Sequence, residues 1–146
     1  MFDLFKRRKG RGARRRATPS MFAEFLEYFG EAPVLEDGAA DPYDAFIDGL
    51  GGRSFGDGVF RVFERSDLEG WHRVVSGCFT KLRSEFNLIG YDWMGRCFAV
   101  DQRDGDGKEL VVLLEIATLD MYYIGKDVAV FLNEVMPNQS EACLGV

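Results

Sequence analysis

Histidine and cysteine, the side chains that most often bind zinc or serve as bases and nucleophiles, are scarce in this chain of 146 residues. There is one histidine, His72, and the cysteines are Cys78, Cys97 and Cys143. Zinc needs about four such ligands at close spacing, and nucleophilic catalysis needs a nucleophile beside an oriented base. Neither pattern occurs, so we expect no metal site and no catalytic set of this kind.

Disulfides, membrane spans and a secretory signal are not expected either. The cysteines are odd in number and far apart, which suits a reducing compartment better than a disulfide framework. No apolar run approaches the ~18 residues that cross a bilayer. The start, MFDLFKRRKG, lacks the apolar stretch and cleavage site of a signal peptide. The expected location is the cytoplasm.

Loops that bind phosphate or calcium are missing as well. Gly56-Asp57-Gly58 is interpreted as a turn, because the carboxylates that a calcium loop places at fixed offsets are absent. Asp101, Asp104 and Asp106 resemble a metal cluster, but no bidentate glutamate follows at the required distance, and we interpret them as a solvated turn. We therefore expect no cofactor and no enzymatic activity.

Charge is distributed unevenly along the chain. The net charge of −6 combines a first segment, residues 1–16, of net +7 with a remainder of net −13, which carries 10 basic and 23 acidic residues. We interpret 1–17 as a disordered basic arm and 18–146 as one domain. The arm could bind nucleic acid or a membrane surface, or simply improve solubility. Its basic residues are Lys6, Arg7, Arg8, Lys9, Arg11, Arg14, Arg15 and Arg16.

The chain has 47% hydrophobic residues, enough for a core, and the patterns of the domain predict an α+β fold. Three helix starts are predicted at Thr18-Pro19, at Asp41-Pro42 and at a capping box of Ser66 and Glu69. Strands are predicted at 59–63, 88–93, 97–100, 109–117 and 121–124. A last helix is predicted to begin at Asp127 and to end before Pro137. The predicted architecture is an antiparallel sheet of four or five strands with helices packed on one face.

The stretch FNLIGYDWMGRCFAVD, residues 86–101, is predicted to be a hairpin that turns at Met94-Gly95. Ile89, Tyr91 and Trp93 are expected to share one buried face, and Arg96 to pair with Asp92 or Asp101 across the hairpin. The stretch is interpreted mainly as scaffold, with recognition of a partner as the alternative. The candidate partner-binding residues are Asp92, Trp93, Arg96, Asp101, Asp104 and Asp106.

Two blocks of sequence, GGRSFGDGVFRVF and GYDWMGRCFAVD, are followed by an apolar strand, a short turn and VAVFLNEV. Over residues 20–136 this arrangement resembles the family typified by the C-terminal domain of the type VI secretion DNase immunity protein, with its GAD-like relatives. That family has a glycine- and threonine-rich turn where this chain has Ala117-Thr118-Leu119-Asp120. The resemblance implies a non-catalytic, cytoplasmic protein that binds and silences a cognate bacterial toxin, with a nuclease as the expected toxin class.

Three hypotheses about function follow. The first is a toxin-neutralising protein, which the acidic domain supports because nuclease toxins present basic surfaces. The second is an adaptor whose basic arm contacts nucleic acid or a membrane. The third is a small hydrolase or ligand-binding domain that uses Asp92, Asp101 and His72 in a cleft.

Overall fold

A computed structural model describes residues 18–19, 21–33, 35–36, 41–103 and 109–145. The basic arm predicted over 1–17 lies outside the described residues, and so do Asp104 and Asp106. The α+β class is confirmed, since an open six-stranded antiparallel sheet is combined with several helices.

The strands and helices follow one another along the chain in a simple order. The strands are β1 Thr18–Pro19, β2 Leu35–Glu36, β3 Ser54–Phe55, β4 Phe60–Val62, β5 Phe86–Asp92, β6 Cys97–Asp101, β7 Leu110–Glu115 and β8 Asp120–Tyr123. The helices are α1 Ala23–Tyr28, α2 Pro42–Leu50, α3 Leu68–Cys78, α4 over 128–138 and α5 Ser140–Leu144, with 3-10 turns at Arg65–Asp67 and Thr80–Leu82. Of the helices in the described ranges, none is long and apolar enough to cross a lipid bilayer.

The large sheet is a meander in the order β3-β4-β5-β6-β7-β8, and β1 and β2 form a separate two-stranded sheet. The prediction of four or five strands is therefore wrong. The strand that it missed is β3, which pairs Ser54 with Arg61 and Phe55 with Phe60. A two-residue strand is too short to show the alternation that identifies strands in a sequence.

Helices cover both faces of the sheet, so the prediction of helices on one face is also wrong. Phe98 and Val100 of β6 face a core shared with α1, α2, α4 and α5, whereas Cys97 and Ala99 face a second core with α3. Successive residues of a strand point to opposite faces. Because both faces are covered, β6 and β7 are apolar at consecutive positions.

The predicted helix starts were partly correct. Asp41 and Asp127 cap α2 and α4, accepting hydrogen bonds from the backbone N–H groups of Asp44 (3.2 Å) and Val130 (2.9 Å). Thr18-Pro19 belongs to a strand, and the α1 backbone N–H of Phe25 donates instead to Asn133 Oδ1 at 3.2 Å. A long-range cap of this kind leaves no local pattern in the sequence.

Two other predicted helix boundaries were wrong. No capping box forms at Ser66 and Glu69, because a 3-10 turn over Arg65–Asp67 precedes α3. Pro137 lies inside α4, two residues after the end of a π-helical segment, Phe131–Val135. In a regular helix a proline at 137 would remove the bond to the carbonyl of Asn133 and clash with it, and the wider π turn accommodates the ring.

A bulge interrupts β5, where the register with β6 shifts between Leu88 and Gly90. The Leu88 carbonyl accepts a hydrogen bond from the Tyr43 hydroxyl at 2.7 Å, and burial raises the pKa of Tyr43 to about 12. The extra residue places Ile89 in the first core and Tyr91 against the second. The prediction that both share one face is wrong, because a bulge reverses the alternation.

Gly90 is the point of closest contact between β4 and β5. A Cβ atom there would lie 2.5 Å from the Arg61 carbonyl oxygen and 2.6 Å from Phe60 Cζ. Both atoms are held in place, one by the β4–β5 ladder and the other by the core. No side chain fits this position without moving the sheet or the ring.

We predict that Gly90→Ala lowers the free energy of unfolding by about 1–3 kcal/mol, because a methyl group overpacks this contact. The matched control is Gly70→Ala in α3, where a Cβ atom meets nothing within 4 Å. Alanine there should leave stability unchanged or raise it by up to about 1 kcal/mol. Urea unfolding followed by circular dichroism measures both, and equal values for the two variants would contradict the packing argument.

Candidate functional site

The β5–β6 turn, residues 93–96, is organised around the buried carboxylate of Asp92. Asp92 Oδ1 accepts hydrogen bonds from the backbone N–H groups of Met94 (3.0 Å) and Arg96 (2.9 Å). Asp92 Oδ2 accepts from Nε and Nη2 of Arg96, each at 2.7 Å. The Asp92 side chain is fully buried and that of Arg96 is 12% exposed. A buried ion pair with every bond made fixes the turn in one conformation.

The same turn is fastened to the C-terminal helix α5. Arg96 Nη2 donates to the Cys143 carbonyl at 3.0 Å, and the Trp93 indole N–H donates to the Leu144 carbonyl at 2.8 Å. These carbonyls belong to the last turn of α5, which no later helical residue can satisfy. Side chains of the turn therefore satisfy the backbone carbonyls at the end of α5, and those carbonyls hold the side chains in place.

Trp93 and Met94 remain on the surface despite these bonds. Trp93 is 57% exposed and Met94 is 44% exposed. Gly95 supplies the predicted positive φ, 78°, so that the chain can reverse between them and Arg96. An aromatic ring held in place by its polar edge, with its face in solvent, is typical of a binding anchor.

An apolar groove runs between α3 and the β5–β6 turn. Its volume is about 380 Å³, and within the described part of the chain no charged side chain lines it. Trp71 and Val74 form its outer wall and are 50% and 57% exposed. Gly95 joins the groove to the turn. The lining residues are Phe63, Trp71, Val74, Val75, Cys78, Tyr91, Gly95, Cys97 and Ile116.

The structure separates the predicted partner-binding residues into two groups. Asp92, Trp93 and Arg96 lie together at the turn, and of the two partners predicted for Arg96 the structure selects Asp92. Asp101 lies at the other end of β6, about 13 Å away along the strand. There it pairs with Arg103 at 2.8 Å, and the hydrogen bonds from Arg103 lower the pKa of the Asp101 carboxyl.

The prediction also misjudged which side chains are buried. Trp93 was expected to be buried, yet more than half of it is exposed. The bulge between Leu88 and Gly90 reverses which face each later residue of β5 occupies, and the strand ends at Asp92, before Trp93. Trp71 has helical spacing with Leu68 and Val75, which by itself would favour a place in the core. It instead lies at the edge of the α3 stripe, where a tryptophan can cover apolar surface and still be half-exposed. A sequence pattern gives the stripe but not its edges.

Most of the described cations are already neutralised by a carboxylate. Arg65 donates to Asp48 at 2.6 Å and to Asp44 at 2.9 Å, hydrogen bonds that raise the pKa of its guanidinium. Further ion pairs join Arg53–Glu31, Arg73–Glu69, Arg83–Glu85, Arg96–Asp92 and Arg103–Asp101. Since acidic residues outnumber basic ones beyond the arm, the remaining surface charge is negative.

His72 has a structural environment. Its ring stacks on Phe86 with 4.2 Å between centroids, and Ser76 Oγ lies 3.4 Å from Nδ1. Along the described residues, no carboxylate forms an ion pair with the ring, and no three His, Cys, Asp or Glu residues are grouped to hold a metal ion. The Asp92 carboxylate is engaged by the hydrogen bonds of the turn and does not contact His72 in any bond of the described residues.

No protein-family model matches this chain, and no curated protein or solved structure matches it. The family resemblance stays a prediction, and the site is interpreted from its geometry alone.

We predict that Asp92→Asn lowers the free energy of unfolding by about 3–5 kcal/mol, because it leaves the Arg96 guanidinium buried without its anion. The control is Asp48→Asn, whose ion pair with Arg65 is 63% and 49% exposed. An exposed pair of this kind contributes about 1 kcal/mol or less. Chemical unfolding measures both variants. A loss below about 1 kcal/mol for Asp92→Asn would show that the turn does not depend on this carboxylate.

The cysteines provide a second prediction, because burial raises the pKa of Cys97 to about 11 and also raises that of Cys143. The thiolate is the reactive form, so both thiols should react slowly with iodoacetamide at pH 8 in the native protein. Cys78 is partly exposed and should be modified first. Mass spectrometry of digests follows each site, with urea-unfolded protein as the control. Equal native rates at all three sites would contradict the assigned burial.

Proposed function

We propose that this protein is a non-catalytic inhibitor that binds and neutralises a cognate secreted bacterial toxin with a basic surface, a nuclease being the expected class. The observation that carries the proposal is that the Trp93 side chain is exposed and at the same time held by hydrogen bonds. Its ring is more than half exposed, while its indole N–H and the turn beneath it are fixed by Leu144 and Asp92.

A fixed, exposed tryptophan favours binding for a reason of entropy. Ordering a mobile side chain at an interface costs roughly 0.5–1.5 kcal/mol, and a side chain that is already ordered avoids that cost. Tryptophan is also among the residues that most often dominate interface energies. Met94, the next residue, is also exposed, and the groove that Trp71 and Val74 line reaches Gly95 of the same turn.

The charge of the domain supports the class of partner. Beyond the arm the net charge is −13, and the arginines of the described domain are largely paired with carboxylates. A field of this sign attracts a basic protein and speeds its encounter, whereas it repels nucleic acid and anionic membranes. In this proposal the apolar surface supplies affinity and the acidic surface supplies rate and selectivity.

We predict that Trp93→Ala weakens toxin binding by about 2 kcal/mol or more, roughly 30-fold in Kd, because the anchor is removed. Trp93→Phe keeps a ring but loses the bond to Leu144, and it should give an intermediate loss. Tyr28→Ala is the matched control, since Tyr28 is an exposed aromatic residue (37%) on α1. Calorimetry with an inactive variant of the toxin encoded next to this protein, at two salt concentrations, measures affinity.

Growth protection on co-expression with the active toxin tests the function itself. The wild-type chain and Tyr28→Ala should protect, and Trp93→Ala should not. A chain that lacks residues 1–16 should also protect, whereas loss of protection on this truncation would favour an adaptor that works through its basic arm. Full protection by a folded Trp93→Ala variant, or affinity that is independent of salt, would contradict the proposal.

A further inference from the structure

The strand β8 forms an open edge of the large sheet. It pairs with β7 on one side, and within the described ranges no strand pairs with its other side. Exposed edges are commonly protected by lysine, proline or a bulge. The four residues of β8 include none of these, and Tyr122 and Tyr123 are 53% and 67% exposed. The edge is therefore able to accept another strand.

The hydrogen bonds around Val111 show which backbone groups face outward. Its carbonyl accepts from Ile124 N–H at 3.1 Å, and its N–H donates to the Lys126 carbonyl at 2.8 Å. Antiparallel ladders alternate, so Tyr122 is bonded to β7, while the N–H and C=O groups of Met121 and Tyr123 point away from the sheet. These are the groups that an added strand would bind.

Grooves flank β8 on both faces. One of about 480 Å³ is lined by Glu115, Tyr122 and Lys126, and one of about 430 Å³ by Leu119 and Met121, with Tyr123 bordering both. Asp120 is opposite Glu115 and two residues before Tyr122, so its side chain lies on the face of the first groove. Added strands place alternate side chains in such grooves.

The charges at the two ends of β8 indicate which strand would pair with this edge. Asp120 stands directly opposite Glu115 in the β7–β8 register, an arrangement of like charges that is unfavourable. Among the ion pairs of the described residues, none includes Asp120, Glu115 or Lys126. Counting only partners in the described ranges, the edge therefore has an acid without an ion pair at its start and a cation without one just beyond its end.

We propose that β8 pairs antiparallel with β8 of a second copy of this chain, about a two-fold axis at Tyr122. In this register Met121 exchanges backbone bonds with Tyr123 of the second copy, so every outward group is paired. Asp120 then faces Ile124 of the second copy. Lys126 lies at the same level as Ile124, because Val111 bonds both, so its ammonium reaches Asp120. The symmetry forms this contact twice.

The pairing does not depend on the proposed function, since it uses the backbone of the sheet edge and not the side chain of Trp93. Sedimentation equilibrium of the full chain measures it. The wild-type chain should form dimers. Asp120→Lys and Lys126→Glu should each weaken the dimer by roughly tenfold or more, because each places like charges at both contacts. The double variant, D120K with K126E, restores the attraction and should restore the dimer.

Glu27→Lys is the control, because it changes the net charge as Asp120→Lys does but lies on α1. It should leave the dimer unchanged, and unfolding midpoints should show that all variants are folded. If the wild-type chain is a monomer at every concentration, the proposal is wrong. It is also wrong if the edge of that monomer instead binds a strand of a different protein. Single variants that dimerise normally, or a double variant that does not recover, would overturn it as well.

Discussion

The structure depends most on the buried carboxylate of Asp92. This one group satisfies the backbone N–H groups of the β5–β6 turn and neutralises Arg96, which in turn binds the carbonyl of Cys143. Without it, a guanidinium, a tight turn and the end of α5 would each lose a buried polar partner, and every such loss is costly. The exposed position of Trp93 follows from this arrangement, because its indole bonds to the next carbonyl of the same helix end.

Features set by local sequence were predictable. The caps at Asp41 and Asp127, the five predicted strands, the positive φ of Gly95 and the pairing of Arg96 with Asp92 all depend on residues close together in the chain. Turn chemistry, capping and alternation operate over a few residues, so they leave a pattern that can be recognised. The α+β class follows from the order of these elements.

Features set by distant contacts were not predictable. Tyr43 bonds to the backbone at the Leu88/Gly90 bulge, Asn133 bonds to the first turn of α1, and Pro137 follows a π segment of α4. The second layer of helix was missed because apolar residues at consecutive positions show burial without showing what covers each face. The candidate site was the least predictable part, since the exposure of Trp93 and Trp71 is decided by the packing of α5 and α3.

Indole NMR measures whether Trp93, which is exposed, is also rigid, the property that its role as an anchor requires. The chain has two tryptophans, so the indole resonance of Trp71, which lines the groove, is an internal reference. We expect an order parameter near 0.85 and slow hydrogen exchange for the Trp93 indole N–H, with faster exchange for Trp71. An order parameter below about 0.6 for Trp93, or exchange as fast as that of Trp71, would contradict this expectation.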